Sequence, residues 1–236
     1  MWKYALCFVL FTLVGSVDSQ ATTVNVDFGA NEGSMSGQGA LPDPGNNHWN
    51  VTNSSSTNGL TASDGSTPTS IGYTFTGVTL NGGTNPNANE NQLLADYMFG
   101  YTGTFTVGGL DPVKKYDVYL YGASDSRDLW PAPNRGTTWT MISGTTSSPT
   151  VQTSTGNIPN WTSTYVQDVT HVIYEDVTPG AGNQIVFNLM PNAPANAFLN
   201  GFQIQVVPEP TTALLLGIGL VGLAARRRAR CGSYFC

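Results

Sequence analysis

The chain has 236 residues, of which only 10 % are charged, with a formal net charge of −6 and 3 cysteines. Between Ala21 and Val207 there are thirteen Asp and Glu against four Lys and Arg, a net of −9. That balance excludes a nucleic-acid binder, which needs clustered cations to neutralise phosphates, and the aromatic residues spread through the chain exclude a disordered one.

The N-terminus pairs the positive charge of Lys3 with a mostly apolar stretch from Trp2 to Val17. Val17-Asp18-Ser19-Gln20-Ala21 then turns polar and small. This is the layout of a secretory signal peptide over residues 1–20, cleaved between Gly15 and Ala21. The apolar run is shorter than the roughly 20 residues that a spanning helix needs. Cys7 lies in this leader, and Cys231 and Cys236 lie at the far end. The segment 21–207 is therefore free of cysteine, although an oxidising compartment would permit disulfides. Its roughly 185 residues make about one domain, and its stability must come from burial.

Short, often alternating apolar segments between Gly, Asn and Pro clusters predict strands. Val24–Phe28 places Val24, Val26 and Phe28 on one face. Trp49–Thr52 is a candidate second strand, and Ile71–Phe75 alternates. Thr76–Leu80 reads as a hairpin partner ending in a turn at Asn81-Gly82-Gly83. Glu90–Phe99 is the helix candidate, with a stripe of Leu93, Leu94, Tyr97 and Met98 stopped by Gly100. Thr102–Val107 leads into a turn at Gly108–Pro112. In Tyr116–Tyr121, Tyr116, Val118 and Leu120 face the core and Asp117, Tyr119 and Tyr121 face away. Gly136–Ile142, Thr164–Tyr174, Gln184–Leu189 and Phe198–Val206 complete the set; the last turns Phe202, Ile204 and Val206 inward and Gln203 and Gln205 outward. Many strands with one short helix and no fixed-period repeat predict an all-β fold, an antiparallel β-sandwich.

The C-terminus reads Val207-Pro208-Glu209-Pro210, then an apolar run from Thr211 to Ala225, then Arg226-Arg227-Arg228-Ala229-Arg230. The apolar run suits lipid, and the arginines resist crossing it. As a helix its fifteen residues reach about 22 Å, short for a permanent span. The order of these parts resembles the PEP-CTERM signal of bacterial exosortase substrates. The resemblance implies a sorting signal over 208–230, carried by Pro208, Glu209, Pro210, Arg226, Arg227 and Arg228, with 231–236 as a tail. It also implies exosortase-type processing machinery as a partner, insertion in the inner membrane before cleavage, and release to the cell surface or matrix afterwards.

A second resemblance reaches the exported segment. Val24-Asn25-Val26-Asp27-Phe28-Gly29, Gly109-Leu110-Asp111-Pro112 leading into Tyr116–Gly122, and Leu199-Asn200-Gly201-Phe202-Gln203-Ile204 occur in that order. They resemble pieces of the galactose-binding-like jelly roll of malectin-type and other carbohydrate-binding modules. Such a fold brings the first and last strands together in one sheet. It implies sugar-binding residues on loops at one end or on a concave face.

No catalytic group stands out. There is no Gly-x-Ser-x-Gly elbow and no phosphate loop, and His171 reads as a histidine on a strand face. His48 lies in a loop beside Trp49, either as a bare loop histidine or as part of a sugar site. A glycosidase needs two carboxyl groups about 5–9 Å apart, and the spacing of Glu32, Glu90 and Glu175 marks no pair. Asp125-Ser126-Arg127-Asp128 has oxygen ligands that suit Ca²⁺ but lacks the calcium-loop pattern, so a plain polar turn is the simpler reading and no cofactor is expected. The richest stretch is the loop after Tyr121, where Asp125, Arg127, Asp128, Trp130, Asn134 and Arg135 crowd together. Aromatic faces stack on sugar C–H groups and planar polar side chains bind hydroxyls, so these six are the candidate carbohydrate ligands; an Asp-Arg network that pins a long loop is the alternative. Trp49, Trp139 and Trp161 have similar claims, with Trp139 expected in the core. Three readings follow: an exported non-catalytic surface or matrix protein that binds polysaccharide, a secreted polysaccharide hydrolase or lyase, and a structural subunit that self-associates.

Overall fold

Alternation in short segments builds sheets here. The structure is a computed structural model that describes residues 22–29, 35, 37–43, 47–77, 81–84, 92–123, 135–156, 165–192 and 196–208. Its elements are β1 (Thr23–Phe28), β2 (Asn50–Thr52), β3 (Ser56–Thr57), β4 (Gly72–Thr76), β5 (Asn81–Thr84), α1 (Gln92–Ala95), β6 (Asp96–Gly100), β7 (Gly103–Gly108), β8 (Tyr116–Tyr121), β9 (Thr137–Ser143), β10 (Val151–Thr153), β11 (His171–Val177), β12 (Ile185–Pro191), β13 (Ala197–Leu199) and β14 (Gly201–Val206). Sheet A has the order β11-β8-β14-β1-β2, sheet B the order β10-β9-β12-β7-β4-β3, and a small third sheet the order β13-β6-β5. Ala21–Val207 forms one compact unit.

The two large sheets bury one face each against the other. Val24, Val26, Phe28, Val118, Leu120, Phe202 and Ile204 of sheet A share a core with Tyr73, Phe75, Phe105, Val107, Trp139 and Phe187 of sheet B. Phe28 meets Tyr73 edge-on at 5.0 Å between ring centres, and Phe105 meets Phe202 at 5.2 Å. Such pairs favour a fixed geometry, and each fully buried Phe contributes about 1.5–3 kcal/mol through area alone. Met98, Ala197 and Leu199 of the small sheet join the same core.

β1 and β14 pair antiparallel, with Thr23 opposite Gln205 and Val26 opposite Phe202, so the two ends of the unit meet in one sheet. The pairing is not antiparallel throughout. β1 and β2 run parallel, with Val26 beside Asn50 and Phe28 beside Thr52. Parallel neighbours need a crossover connection, and the chain between Phe28 and Asn50 supplies it.

Several expectations change. Asn81-Gly82-Gly83 is not a turn but lies in β5, paired with β6. The predicted helix shrinks to Gln92–Ala95, and Tyr97 and Met98 lie on β6; five residues of strand pairing outweigh a weak helical stripe. β11 begins at His171 rather than Thr164, and the last predicted strand breaks at Asn200 into β13 and β14. The turn before β8 stands as expected. Gly109 has φ +73°, and a Cβ there would sit 1.9 Å from the Ser70 carbonyl oxygen, so only glycine fits. Among the described residues no helix is long and apolar enough to cross a membrane. The segments 1–20 and 211–230 lie outside the described residues.

Candidate functional site

The candidate ligand loop has a well-built base. Ala123 and Gly136 form an antiparallel bridge on either side of residues 124–134. The Ala123 amide donates to Asn200 Oδ1 at 2.9 Å, and Ser154 Oγ donates to the Gly122 carbonyl at 2.5 Å. Thr137 Oγ1 donates to the Phe198 carbonyl and accepts from the Phe198 amide, both at 2.7 Å. The packing leaves no room for a side chain, since a Cβ on Gly136 would sit 1.6 Å from the Ser154 carbonyl oxygen.

Two further loops start at the same place. A Cβ on Gly156, which has φ +69°, would sit 2.1 Å from the Arg135 carbonyl oxygen. The root of 157–164 therefore lies against the root of 124–134. The Asn192 amide donates to the Gly136 carbonyl at 3.2 Å, which brings in the root of 193–195.

Of the six candidate ligands, Arg135 alone lies among the described residues. It is half-buried at the loop root, and its Nε is enclosed with no hydrogen-bond partner among the described residues. Asp125, Arg127, Asp128, Trp130 and Asn134 lie outside the described residues, as do Trp161, Glu32 and Glu90. Pro208 is exposed, while Glu209, Pro210, Arg226, Arg227 and Arg228 also lie outside them. Among the described residues no group of three His, Cys, Asp or Glu could hold a metal.

The remaining tryptophans and histidines resolve differently. Trp139 is fully buried in the core. Trp49 is buried too, its Nε1 donating to the Gly37 carbonyl at 2.9 Å, so its ring is no open stacking platform. His48 is exposed. His171 opens β11 and is 3 % exposed, with its ring 5.5 Å from that of Tyr121 and Nδ1 3.0 Å from Thr170 Oγ1. Burial holds its pKa down to about 4, so it is neutral at ordinary pH.

Reading alternation alone missed two features. The first is a polar layer on the outer face of sheet A. Thr23, Asn25, Asp27 and Gln203 are buried, not solvated, and the crossover chain bonds to the last three of them. The Leu41 amide donates to Gln203 Oε1 at 3.0 Å, Gln203 Nε2 donates to Asn25 Oδ1 at 2.8 Å, and the Ala40 amide donates to Tyr121 Oη at 2.7 Å. Tyr121 Oη in turn donates to Gln203 Oε1. Burial raises the Tyr121 pKa well above its usual value and keeps it a neutral donor. Asp27 Oδ2 accepts from the Met35 amide at 3.2 Å.

The second feature is the outer face of sheet B. Thr76, Thr104, Asn188, Thr140 and Val151 line up across five strands, with Thr74, Thr106 and Val186 in the next row and Met190, Thr138 and Thr153 in the row on the other side. An open depression of about 390 Å³ lies at one end of it, where β4, β7 and β12 meet, lined by Thr76, Thr102, Thr104, Asn188 and Met190.

An all-β sandwich with such loop roots is a common scaffold, and fold alone does not give function. The particular signal lies at the C-terminus: residues 206–228 match the PEP-CTERM protein-sorting motif. The motif supports a secreted protein sorted to the cell surface and implies processing by an exosortase. No curated protein and no solved structure matches the chain.

Proposed function

We propose that this chain is an exported, non-catalytic protein of the cell surface or extracellular matrix that binds polysaccharide. The sorting motif at 206–228 carries the reading. In this account the apolar segment 211–225 anchors the chain in the inner membrane until cleavage near Pro208-Glu209-Pro210. The sandwich then reaches the surface as a galactose-binding-like jelly roll. The meeting of its first and last strands in one sheet supports that assignment.

Carbohydrate binding at the loop end is supported by the adjoining roots of 124–134 and 157–164, the two segments whose sequence contains Trp130 and Trp161. Two tryptophans with Asp, Asn and Arg neighbours have the chemistry of a sugar site.

Affinity electrophoresis of the full-length protein, purified in detergent, through gels containing different polysaccharides tests this. Retardation by at least one polysaccharide is expected, with weaker retardation for Trp130→Ala. New reducing ends or unsaturated products would instead make it a hydrolase or lyase. Concentration-dependent oligomers with no retardation would make it a self-associating subunit.

A further inference from the structure

Sheet B is unusual in its chemistry. None of the residues of β3, β4, β7, β9, β10 and β12 is Asp, Glu, Lys, Arg or His. The domain around it carries a net of −9. Exposed protein surfaces ordinarily mix charges of both signs, which keeps sheets from sticking to the wrong partner. Sheet A differs in carrying charged side chains, all of one sign: Asp117 on β8 and Glu175 and Asp176 on β11.

What faces outward on sheet B is hydroxyl and methyl. Thr74 and Thr76 are exposed, and Thr104, Thr106, Thr138, Thr140, Thr153 and Asn188 are half-buried. Thr138 Oγ1 and Thr153 Oγ1 lie 2.9 Å apart, and Thr104 Oγ1 donates to Asn188 Oδ1 at 3.3 Å. Ile142, Val151 and Met190 are each more than half exposed on the same strands. Neighbouring strands place these groups about 4.8 Å apart, and successive outward residues stand about 6.7 Å apart along a strand. The result is a lattice of alternating donor-acceptor and apolar points with no ionic contact to offer.

We infer that the outer face of sheet B is a docking surface for a neutral polysaccharide chain. The inference rests on the carbohydrate reading above and adds a surface and a ligand class to it. Charge selects the occupant. An anionic polymer gains nothing from a face without cations and is repelled by the domain's net charge. A neutral sugar chain has hydroxyls for Thr and Asn and C–H faces for Ile142, Val151 and Met190. Binding through such a face is insensitive to salt, because screening acts on charges.

The test uses affinity electrophoresis of the full-length protein in detergent, with hydroxyethylcellulose and galactomannan as neutral probes and alginate as the anionic one. The expected result is retardation by a neutral probe, unchanged between about 0.05 and 0.5 M NaCl, and none by alginate. Thr76→Glu, which places a charge at an exposed site, and the combined Thr106→Val and Thr140→Val, which removes hydroxyls while keeping the branched shape, should each weaken binding about tenfold. Circular dichroism confirms that each variant is folded. Retardation that survives both sheet variants but disappears in Trp130→Ala overturns this inference and leaves the loop site standing. No retardation by any polysaccharide overturns the carbohydrate reading itself. A concentration-dependent dimer abolished by Thr76→Glu overturns the inference in favour of contact between copies of the chain.

Discussion

On sheet A, the face turned away from the core is roofed by the crossover chain; on sheet B, the corresponding face is open. Both sheets alternate apolar and polar residues, and both send their apolar side into the same aromatic core. The difference arises from connectivity. β1 and β2 are parallel, so the chain between them must cross a sheet face. It pairs with Asn25, Asp27 and Gln203 through His48, Met35 and Leu41, so that a polar row becomes a buried network. On sheet B, Thr74 and Thr76 are exposed and Thr104 and Thr106 half-buried. Polar alternation alone does not separate a solvated face from a roofed one; the path of the intervening chain does.

The largest effect should come from what the two sheets share. Phe105→Ala removes the ring that touches Phe28, Phe75, Trp139, Phe187 and Phe202, and should cost about 3–5 kcal/mol in urea unfolding. A much smaller loss would mean that the sheets do not depend on one core.

Gln203→Leu breaks the roof of sheet A selectively. It leaves the Leu41 amide and Asn25 Oδ1 without their partner, at about 2–4 kcal/mol. Hydrogen exchange at the Ala40 and Leu41 amides should speed up while β7 and β12 amides stay protected. Uniform loosening would show that the roof is not a separate layer.

His171 gives the same face a pH dependence. Unfolded, it takes a proton near pH 6.5; folded, only near 4. Between those values the unfolded chain holds more protons, so stability falls as pH drops, by about 3 kcal/mol at most. His171→Phe, which keeps a ring beside Tyr119 and Tyr121, should flatten that part of the curve. Asp64 acts lower down. Hydrogen bonds from Thr67 and Ser66 hold its pKa at about 2, so its contribution is lost only as pH falls from 3.8 toward 2.

The smallest effect is expected on the open face. Thr74→Lys should change stability by no more than about 0.5 kcal/mol, and a large loss there would reveal an unseen cover.

Legibility in the sequence followed the same divide. β8 was readable to the residue, because Tyr116, Val118 and Leu120 alternate with Asp117 and Tyr119 and Gly109 marks the turn before it. β14 was readable from Phe202 and Ile204. The burial of the outward-facing Gln203 was not, because a roof without periodicity leaves no signal in the strand beneath it. β3 and β10 are edge strands of two and three residues, too short to show a period. β6 looked helical because Leu93, Leu94, Tyr97 and Met98 mimic a stripe that the chain splits between α1 and β6. At the loop end, residue types pointed to Trp130 and Arg135, but the adjacency of the roots of 124–134 and 157–164 depends on contacts between Gly156 and Arg135 far apart in the chain. The charge-free strands of sheet B were visible in the sequence only once their pairing showed that they belong together.

Hydroxyl-radical footprinting of the full-length protein with and without a saturating neutral polysaccharide tests the open face most directly. Met190 is 52 % exposed at the edge of the depression, and its thioether oxidises readily. The sugar chain should slow Met190 oxidation severalfold while Val113, 80 % exposed on a distant turn, reacts as before. Unchanged oxidation of Met190 with the polysaccharide bound would contradict the account.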